Sequence, residues 1–452
     1  MVRKKALTSI QREMRKVPEG TAALYSIAPP NRPTPVFRGH LLAKPGGVRL
    51  NRARLDYQWL PDGGLRFAGT VKGSVDVDQD FSHIRAPQNG AWVEAFVAHA
   101  GLGKSTRVEG VFQNCVRLGP NRPVRAVLFH VPNFHEYVGD PIRTDRTFHR
   151  GRLALRAGEW IVTIDQSSNH RSIRKALQVH GGYGITHAGL ITRVDGARFR
   201  IAQVSEIWSM LLFFFTFCRG NWCGPIIPVG MGNRGPVWTE WCRWRIRPWK
   251  GVRSWFPLIV GQEIQKAFDG FHTLWGDQLW NEPLRELVNW YVEANLNAGA
   301  AEGALVLAHS GLDLLSWMRL VVQKPTHSAK DFEVFTADER IRLVLTDLGI
   351  PGDVSASLTY AHALATSEKL KDGPELINRL RNAIVHPTPA KRAFLARTPP
   401  PCRIDVLQLA LHYLELGILA ICGYQGDYIT RLMTGVWRSE ATLKVPWAKA
   451  LP

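Results

Sequence analysis

Leu380-Arg381-Asn382-Ala383-Ile384-Val385-His386-Pro387 sets a fixed cation, an amide and an imidazole into a pattern that is otherwise apolar and helical. At about 100° per residue, Leu376, Ile377, Leu380, Ala383 and Ile384 fall on one arc, with Arg381, Asn382 and His386 on the remainder. Asn382 and His386 are four apart, so the periodicity makes them neighbours on that surface. Arg381 lies roughly 140° round from His386 on the same count, within the swing of its long side chain. Pro387 stops the helix. A cation, an amide and a titratable ring on one polar face suit phosphate chemistry.

Working outward, the chain reads as helical from about 281 onward. Pro283 fits a first helical position, and Leu284, Leu287, Val288, Tyr291, Val292 and Leu296 follow at the 3.6-residue period. Leu305, Ala308, Leu312 and Leu315 mark a second stripe. Thr336-Ala-Asp-Glu339 has the capping-box spacing ahead of Ile341, Val344, Leu345 and Leu348, and Gly349-Ile-Pro351 ends that helix. The opening stretch lies on a fourth helix. Residues 404–422 form the fifth, with Gly423 at its C-terminal cap. Five amphipathic helices with moderate loops predict a bundle.

The front of the chain carries the period of strands. Leu55–Leu60 alternates, Pro61-Asp62-Gly63-Gly64 turns, and Leu65–Val71 alternates again, which predicts a hairpin. Further short runs are Trp92–Val97, Arg107–Phe112, Arg125–His130, Arg152–Leu155, Trp160–Ile164 and Ile185–Val194. They predict an antiparallel sandwich or barrel. A mixed segment follows over 199–260. In it Val237–Trp249 reads as a strand with Cys242, Trp244 and Ile246 on one side, and Trp241, Arg243, Arg245 and Arg247 on the other. That second face is a candidate for stacking bases and neutralising phosphates, or a core strand with solvated arginines. The expected fold class is α+β multidomain. Residues 1–36 form a basic tail and Pro-rich connector, 37–278 a β-rich, sandwich-like sensing or binding domain, and 279–452 an all-α bundle.

Composition narrows the function. The 452-residue chain holds 57 Lys plus Arg against 38 Asp plus Glu, a net charge of +19. That excess points to a polyanionic partner, nucleic acid ahead of an acidic membrane surface. A generally basic composition remains the plain alternative. Six cysteines without a C-x-x-C pair argue against a disulfide framework or a structural zinc, and for a reducing cytoplasm. Met1-Val-Arg-Lys-Lys-Ala-Leu lacks the apolar core of a secretory signal. The apolar run Ile207–Cys218 is shorter than the ~20 residues of a membrane span, so it reads as buried core. Ala98-His-Ala-Gly101-Leu-Gly103-Lys104-Ser105-Thr106 looks like a P-loop. However, Ala98 stands where a glycine is required, and a strand pattern rather than a helix follows. None of the fifteen histidines has metal-ligand spacing with carboxylates or cysteines.

The opening trio also matches a reaction. An imidazole titrating near neutrality can deprotonate a ribose 2′-OH or protonate a leaving 5′-oxygen. An arginine can hold the scissile phosphate and offset charge in the transition state. Arg381 and His386 are the candidate catalytic pair, with Asn382 orienting. On spacing alone, surface polar residues at a helix end are the better explanation, since arginine-to-histidine spacings of this size are common. The basic stretch Lys391-Arg392 to Arg397, read as a loop leaving that helix, is a candidate RNA-backbone contact.

The helical part resembles a HEPN domain, whose signature is an arginine, a polar residue, a few more, and a histidine; Arg381-Asn382-Ala-Ile-Val-His386 matches its common form. Ala308-His-Ser-Gly-Leu-Asp313-Leu-Leu resembles the family's early helix, with Asp313 where Glu is usual. Arg340–Gly349 resembles the middle helix, and Leu414–Tyr428 the last helix and glycine-tyrosine ending of ApeA-like members. The front of the chain is similar, through Trp208–Phe217, Gly220 and the Trp/Arg segment, to the N-terminal domain of ApeA-like abortive-infection proteins. The resemblance implies a homodimer or higher homo-oligomer whose Arg/His faces meet in a composite, metal-independent and cofactor-free RNA-cleaving site. It also implies a role in defence against phage, with the N-terminal domain sensing a phage-derived trigger or restraining the toxin. The substrate (tRNA, mRNA or rRNA) stays open. Two alternatives stand beside this reading: a non-catalytic nucleotide- or RNA-binding module, and a sequestering, antitoxin-like partner.

Overall fold

A computed structural model describes residues 16–27, 29–73, 76, 81–87, 90–101, 105–144, 148–256, 261–297, 299–433 and 441–448. Arg3, Lys4, Lys5, Arg12 and Arg15 of the basic leader lie outside these residues, as do Leu102–Lys104 of the P-loop-like stretch. The protein is mixed α and β: a β-rich region over residues 34–241 precedes a helical one. It divides into two compact units, residues 1–211 with 223–250, and residues 212–222 with 251–452. The helical unit therefore begins before the composition change near 278. The helix Gly261–Gly276 has its own buried stripe (Ile264, Phe268, Phe271, Trp275) and belongs with the helices that follow.

The β-rich unit is both barrel and sheet. Strands β1 (Thr34–Lys44), β2 (Arg49–Gln58), β3 (Gly64–Lys72), β4 (His83–Arg85), β5 (Trp92–Ala100) and β6 (Ser105–Phe112) close a barrel in the order β1-β2-β3-β6-β5-β4. The anticipated hairpin is β2–β3, with Leu55 opposite Phe67 and Tyr57 opposite Leu65. Alternation alone would turn Leu50 away from Ala53, Leu55 and Tyr57. A bulge between Asn51 and Arg54, with Arg52 at φ 48°, resets the phase so that all four are buried. Barrel closure leaves no strand edge in this sheet.

Strands β7 (Val116–Leu118), β8 (Ala126–Pro132), β9 (Asp140–Arg143), β10 (Phe148–Ala157), β11 (Trp160–Gln166), β12 (Ile185–Arg193), β13 (Ile226–Gly232) and β14 (Gly235–Trp241) form a second antiparallel sheet, ordered β7-β14-β13-β8-β12-β11-β10-β9. β8 is buried on both faces from Val127 onward, so it shows an apolar run in place of alternation. Helix α1 (His170–His180) packs on β12, and α2 (Ser205–Arg219) carries the Phe213-Phe214-Phe215 run, buried as anticipated.

Two expectations are corrected here. β14 ends at Trp241, which is fully buried against Tyr25 and Tyr57 instead of joining an arginine face. Beyond it the backbone is irregular, with Arg243, Arg245 and Arg247 exposed in alternation with partly buried Trp244 and Ile246. The cysteines also do more than spacing indicated. Cys115 and Cys242 are disulfide-bonded, their Cα atoms 4.3 Å apart across 127 residues of sequence. The register of β7 on β14, Val116 opposite Trp241, brings them together. Cys115, Cys242 and Glu240 also form the one metal-type cluster among the described residues, but its two sulfurs are bonded to each other.

The helical unit comprises α3 (Gly261–Gly276), α4 (Asn281–Asn295), α5 (Ala300–Trp317), α6 (Ala329–Val334), α7 (Ala337–Asp347), α8 (Thr359–Ser367), α9 (Gly373–Val385), α10 (Pro389–Ala396) and α11 (Pro400–Ile421), then a ribbon of β15 (Asp427–Ile429) and β16 (Thr442–Lys444). The five anticipated helices are α4, α5, α7, α9 and α11. α6, α8 and α10 are too short to show a period, and Lys391 and Arg392 lie on α10 instead of in a loop. α11 is buried on nearly every side and packs against α4, α5, α8 and α9. Three helical stretches, Ile201–Arg219, Ala300–Gln323 and Pro400–Ile421, are long and apolar enough to cross a membrane, and at least half of each apolar window is buried inside the fold.

At the centre of this unit Arg431 and Glu415 are both about 1 % exposed. Arg431 donates to Glu415 from Nε at 2.6 Å and from Nη2 at 2.7 Å, and to Asn295 at 2.9 Å. Glu415 also accepts from the Tyr291 hydroxyl at 2.5 Å and the Trp255 amide at 3.2 Å. The pair is hydrogen-bonded all round, as a buried ion pair must be.

Candidate functional site

The site is built on α9. Asp372 caps the helix by accepting from Glu375 N at 3.0 Å, and Pro374 occupies the first turn. Leu376, Ile377, Leu380 and Ala383 are buried, which fixes the direction of the polar face. The helix ends at Val385, one residue earlier than periodicity required. His386 is the C-cap, with extended backbone (φ −120°, ψ 96°), although its N–H still reaches Asn382 O at 3.1 Å. Pro387 explains this, since the residue before a proline is steered out of the helical region. His386 is exposed.

Arg381 and Asn382 are brought together, and further residues join them. Arg381 Nη1 donates to Asn382 Oδ1 at 3.0 Å, and Asn382 Nδ2 donates to Asn378 Oδ1 at 3.1 Å. Asn378 Nδ2 donates to Asp338 Oδ1 at 2.8 Å, at the start of α7. Arg342 then bridges Asp338 at 3.3 Å to the capping Asp372 at 2.5 Å. Burial alone would raise the Asp338 carboxyl; hydrogen bonds from Thr336 and Asn378 hold it below the usual range. The chain of bonds thus runs from Arg381 back to the cap of its own helix and locks the polar face to α7.

His309 of α5 stands over this face and is 4 % exposed. Burial, then the Arg381 cation, lowers its pKa to about 4, against the opposing effects of Asp313 and of a hydrogen bond to Asn378. Since Asn378 gives its amide protons to Asp338, its oxygen is the atom that meets the ring. His309 Nε2 and Arg381 Nε are both buried without a partner among the described residues. Asp313 is turned elsewhere, paired with Arg340 at 3.5 Å.

Sequence reasoning missed His309, Asn378 and Asp338. One signal for His309 was present: a histidine inside the apolar stripe Leu305, Ala308, Leu312, Leu315 breaks its pattern. Arg397 is paired with Glu368 at 3.3 Å, while Arg392 is exposed on α10. Arg243, Arg245 and Arg247 belong to the other unit. The α9 face thus combines a guanidinium with an unused donor, a buried neutral imidazole and, at the helix end, an exposed imidazole.

Residues 277–442 match the model of the YopA C-terminal domain, and residues 119–252 that of the YopA central domain. No solved structure matches. Among curated proteins, the SPbeta prophage-derived uncharacterized protein YopA of Bacillus subtilis (strain 168) is 26 % identical over 429 residues, which is 92 % of this chain and 95 % of that protein. The chain is therefore similar to YopA over both its β-rich and its helical parts.

Proposed function

We propose that the helical unit is a HEPN-type domain and that the protein is a metal-independent endoribonuclease of a bacterial anti-phage, abortive-infection system. The observation that carries this is Arg381: its Nη1 is held by Asn382 while its Nε–H is buried and unused, on the helix whose exposed end presents His386. In the reaction, a base takes the proton of a ribose 2′-OH, the oxygen attacks phosphorus, and the P–O5′ bond breaks as an acid protonates the leaving oxygen. Arg381 binds the non-bridging oxygens, on which charge grows. Asn382 and Asn378 hold that guanidinium in place.

Cleavage uses one base and one acid, and His386 is the exposed imidazole of the motif, so two chains pair their α9 ends in the active species. Arg392 on α10 follows the site directly and contacts RNA backbone. The cytoplasm is the compartment that fits an RNA substrate. A phage-related setting accords with the prophage origin of the Bacillus relative.

The test is cleavage of a labelled RNA pool by purified protein in EDTA. The products carry 2′,3′-cyclic phosphate and 5′-hydroxyl ends, and Arg381→Ala and His386→Ala each lose at least a hundredfold in rate. Wild-type-like cleavage by either variant removes the proposal. RNA binding without any cleavage by the wild type leaves the non-catalytic module as the reading.

A further inference from the structure

Three loops meet at one end of the eight-stranded sheet: the chain entering β8, the chain leaving β12, and the two-residue turn between β13 and β14. The cleft they form encloses about 680 Å³. It is lined by Arg122 and Arg125 from the first loop, Arg198 from the second and Arg234 from the third. Small-molecule sites commonly enclose about 300–1,000 Å³. All four arginines are exposed, so their guanidinium groups are open to a ligand.

The backbone holds these cations close together. Val124 and Phe199 exchange both of their backbone hydrogen bonds at 2.9 Å, and both are buried. Arg125 and Arg198, the next residues of that antiparallel pair, therefore lie opposite each other and face away from the core. Like charges so placed destabilise a sheet. On its other flank Arg125 N donates to Met231 O at 3.1 Å, which sets it beside the turn that carries Arg234. The Arg122 carbonyl accepts from Trp238 Nε1 at 3.3 Å. Among the described residues no carboxylate lines the cleft, and none of the four arginines is in an ion pair. Other arginines of this sheet have such partners: Arg117 with Glu240, Arg152 with Asp165, and Arg193 with Asp195. Uncompensated guanidinium groups around one hollow suit an anion bearing several charges in a short span, and their flat forks match phosphate oxygens. The described lining offers no aromatic ring on which a base could stack.

We infer that this cleft binds the triphosphate chain of a nucleotide through Arg122, Arg125, Arg198 and Arg234, and leaves the base unread. The inference is independent of the ribonuclease reading, which rests on the helical unit. The experiment is calorimetric titration of the full chain, at physiological ionic strength, with inorganic tripolyphosphate, ATP, CTP and adenosine. Expected are one saturable site shared by the first three, with affinities within about tenfold of one another, and no binding of adenosine. Arg125→Gln with Arg198→Gln, and separately Arg122→Gln with Arg234→Gln, should each weaken all three by at least about tenfold. Lys175→Gln with Lys330→Gln removes the same charge from exposed positions elsewhere and should leave binding as it was, which separates the cleft from the general attraction of a basic chain. Four results overturn the assignment: no binding of tripolyphosphate, arginine variants that bind no worse than the lysine variant, a larger base preference, or displacement of tripolyphosphate by a 5′-hydroxyl oligodeoxynucleotide. The last would make the cleft a groove for nucleic-acid backbone.

Discussion

Acidification should loosen the N-terminal segment through one histidine. His130, fully buried on β8, accepts at Nε2 from the amides of Leu24 at 3.1 Å and Tyr25 at 3.2 Å, and its Nδ1 faces Ile227 O at 3.2 Å. A proton on Nε2 would point at two N–H groups and displace both. Burial lowers the pKa from 6.5 to about 4, against the Ile227 and Ile226 carbonyls, which raise it. The unfolded chain therefore binds this proton first. The contribution is complete above about pH 6.5 and is lost as pH falls toward 4, where the folded form also protonates. At 1.36 kcal/mol per unit, roughly 2 kcal/mol has gone by pH 5 and about 3 kcal/mol near pH 4. His187 and His170 are also lowered and add slopes of their own, so the informative quantity is a difference. His130→Gln keeps a donor and an acceptor without titrating. Urea unfolding of the β-rich unit at pH 7 and near pH 4 should show the wild type losing about 3 kcal/mol more than the variant. Equal losses in the two proteins would refute the assignment of the neutral, doubly accepting ring.

Two further outcomes follow from buried chemistry. Arg431→Ala strands the Glu415 carboxylate and should cost about 3–5 kcal/mol in the unfolding of the helical unit, whereas Glu415→Leu with Arg431→Met should recover most of it; a double variant no better than the single one contradicts this account. Reducing the Cys115–Cys242 bond opens a loop of 127 residues, which on chain-entropy grounds lowers the stability of the β-rich unit by about 4–5 kcal/mol, read as a fall in its urea midpoint with dithiothreitol.

Period was the most legible signal in the chain. The stripes Leu284–Val292, Leu305–Leu315 and Ile341–Leu345 are buried as their spacing required, and the Asp62-Gly63 turn joins the strands it separates. What escaped was whatever depends on partners distant in sequence. The disulfide arises only once β7 pairs with β14, and β8 hides its strand character because both of its faces are covered. At the α9 face, Arg381 and Asn382 could be read from local spacing. His309 and Asp338 arrive from α5 and α7 and needed the packing of those helices. His386 shows the limit of a helical wheel: before Pro387 its backbone is extended, so the helix that periodicity carried through it ends at Val385.

The two ends of the eight-stranded sheet bear on solubility. An unpaired edge is a template for another chain. On β9 that edge is occupied: Glu19 bridges Arg143, Gly20 N donates to Arg143 O at 2.8 Å, and Arg143 N donates to Pro18 O at 2.9 Å. The opposite edge, β7, is three residues long and is preceded directly by the disulfide-bonded Cys115. Residues 18–20 are thus the cover of an edge, and a truncation that removes them should leave the backbone of β9 open to pairing with another chain.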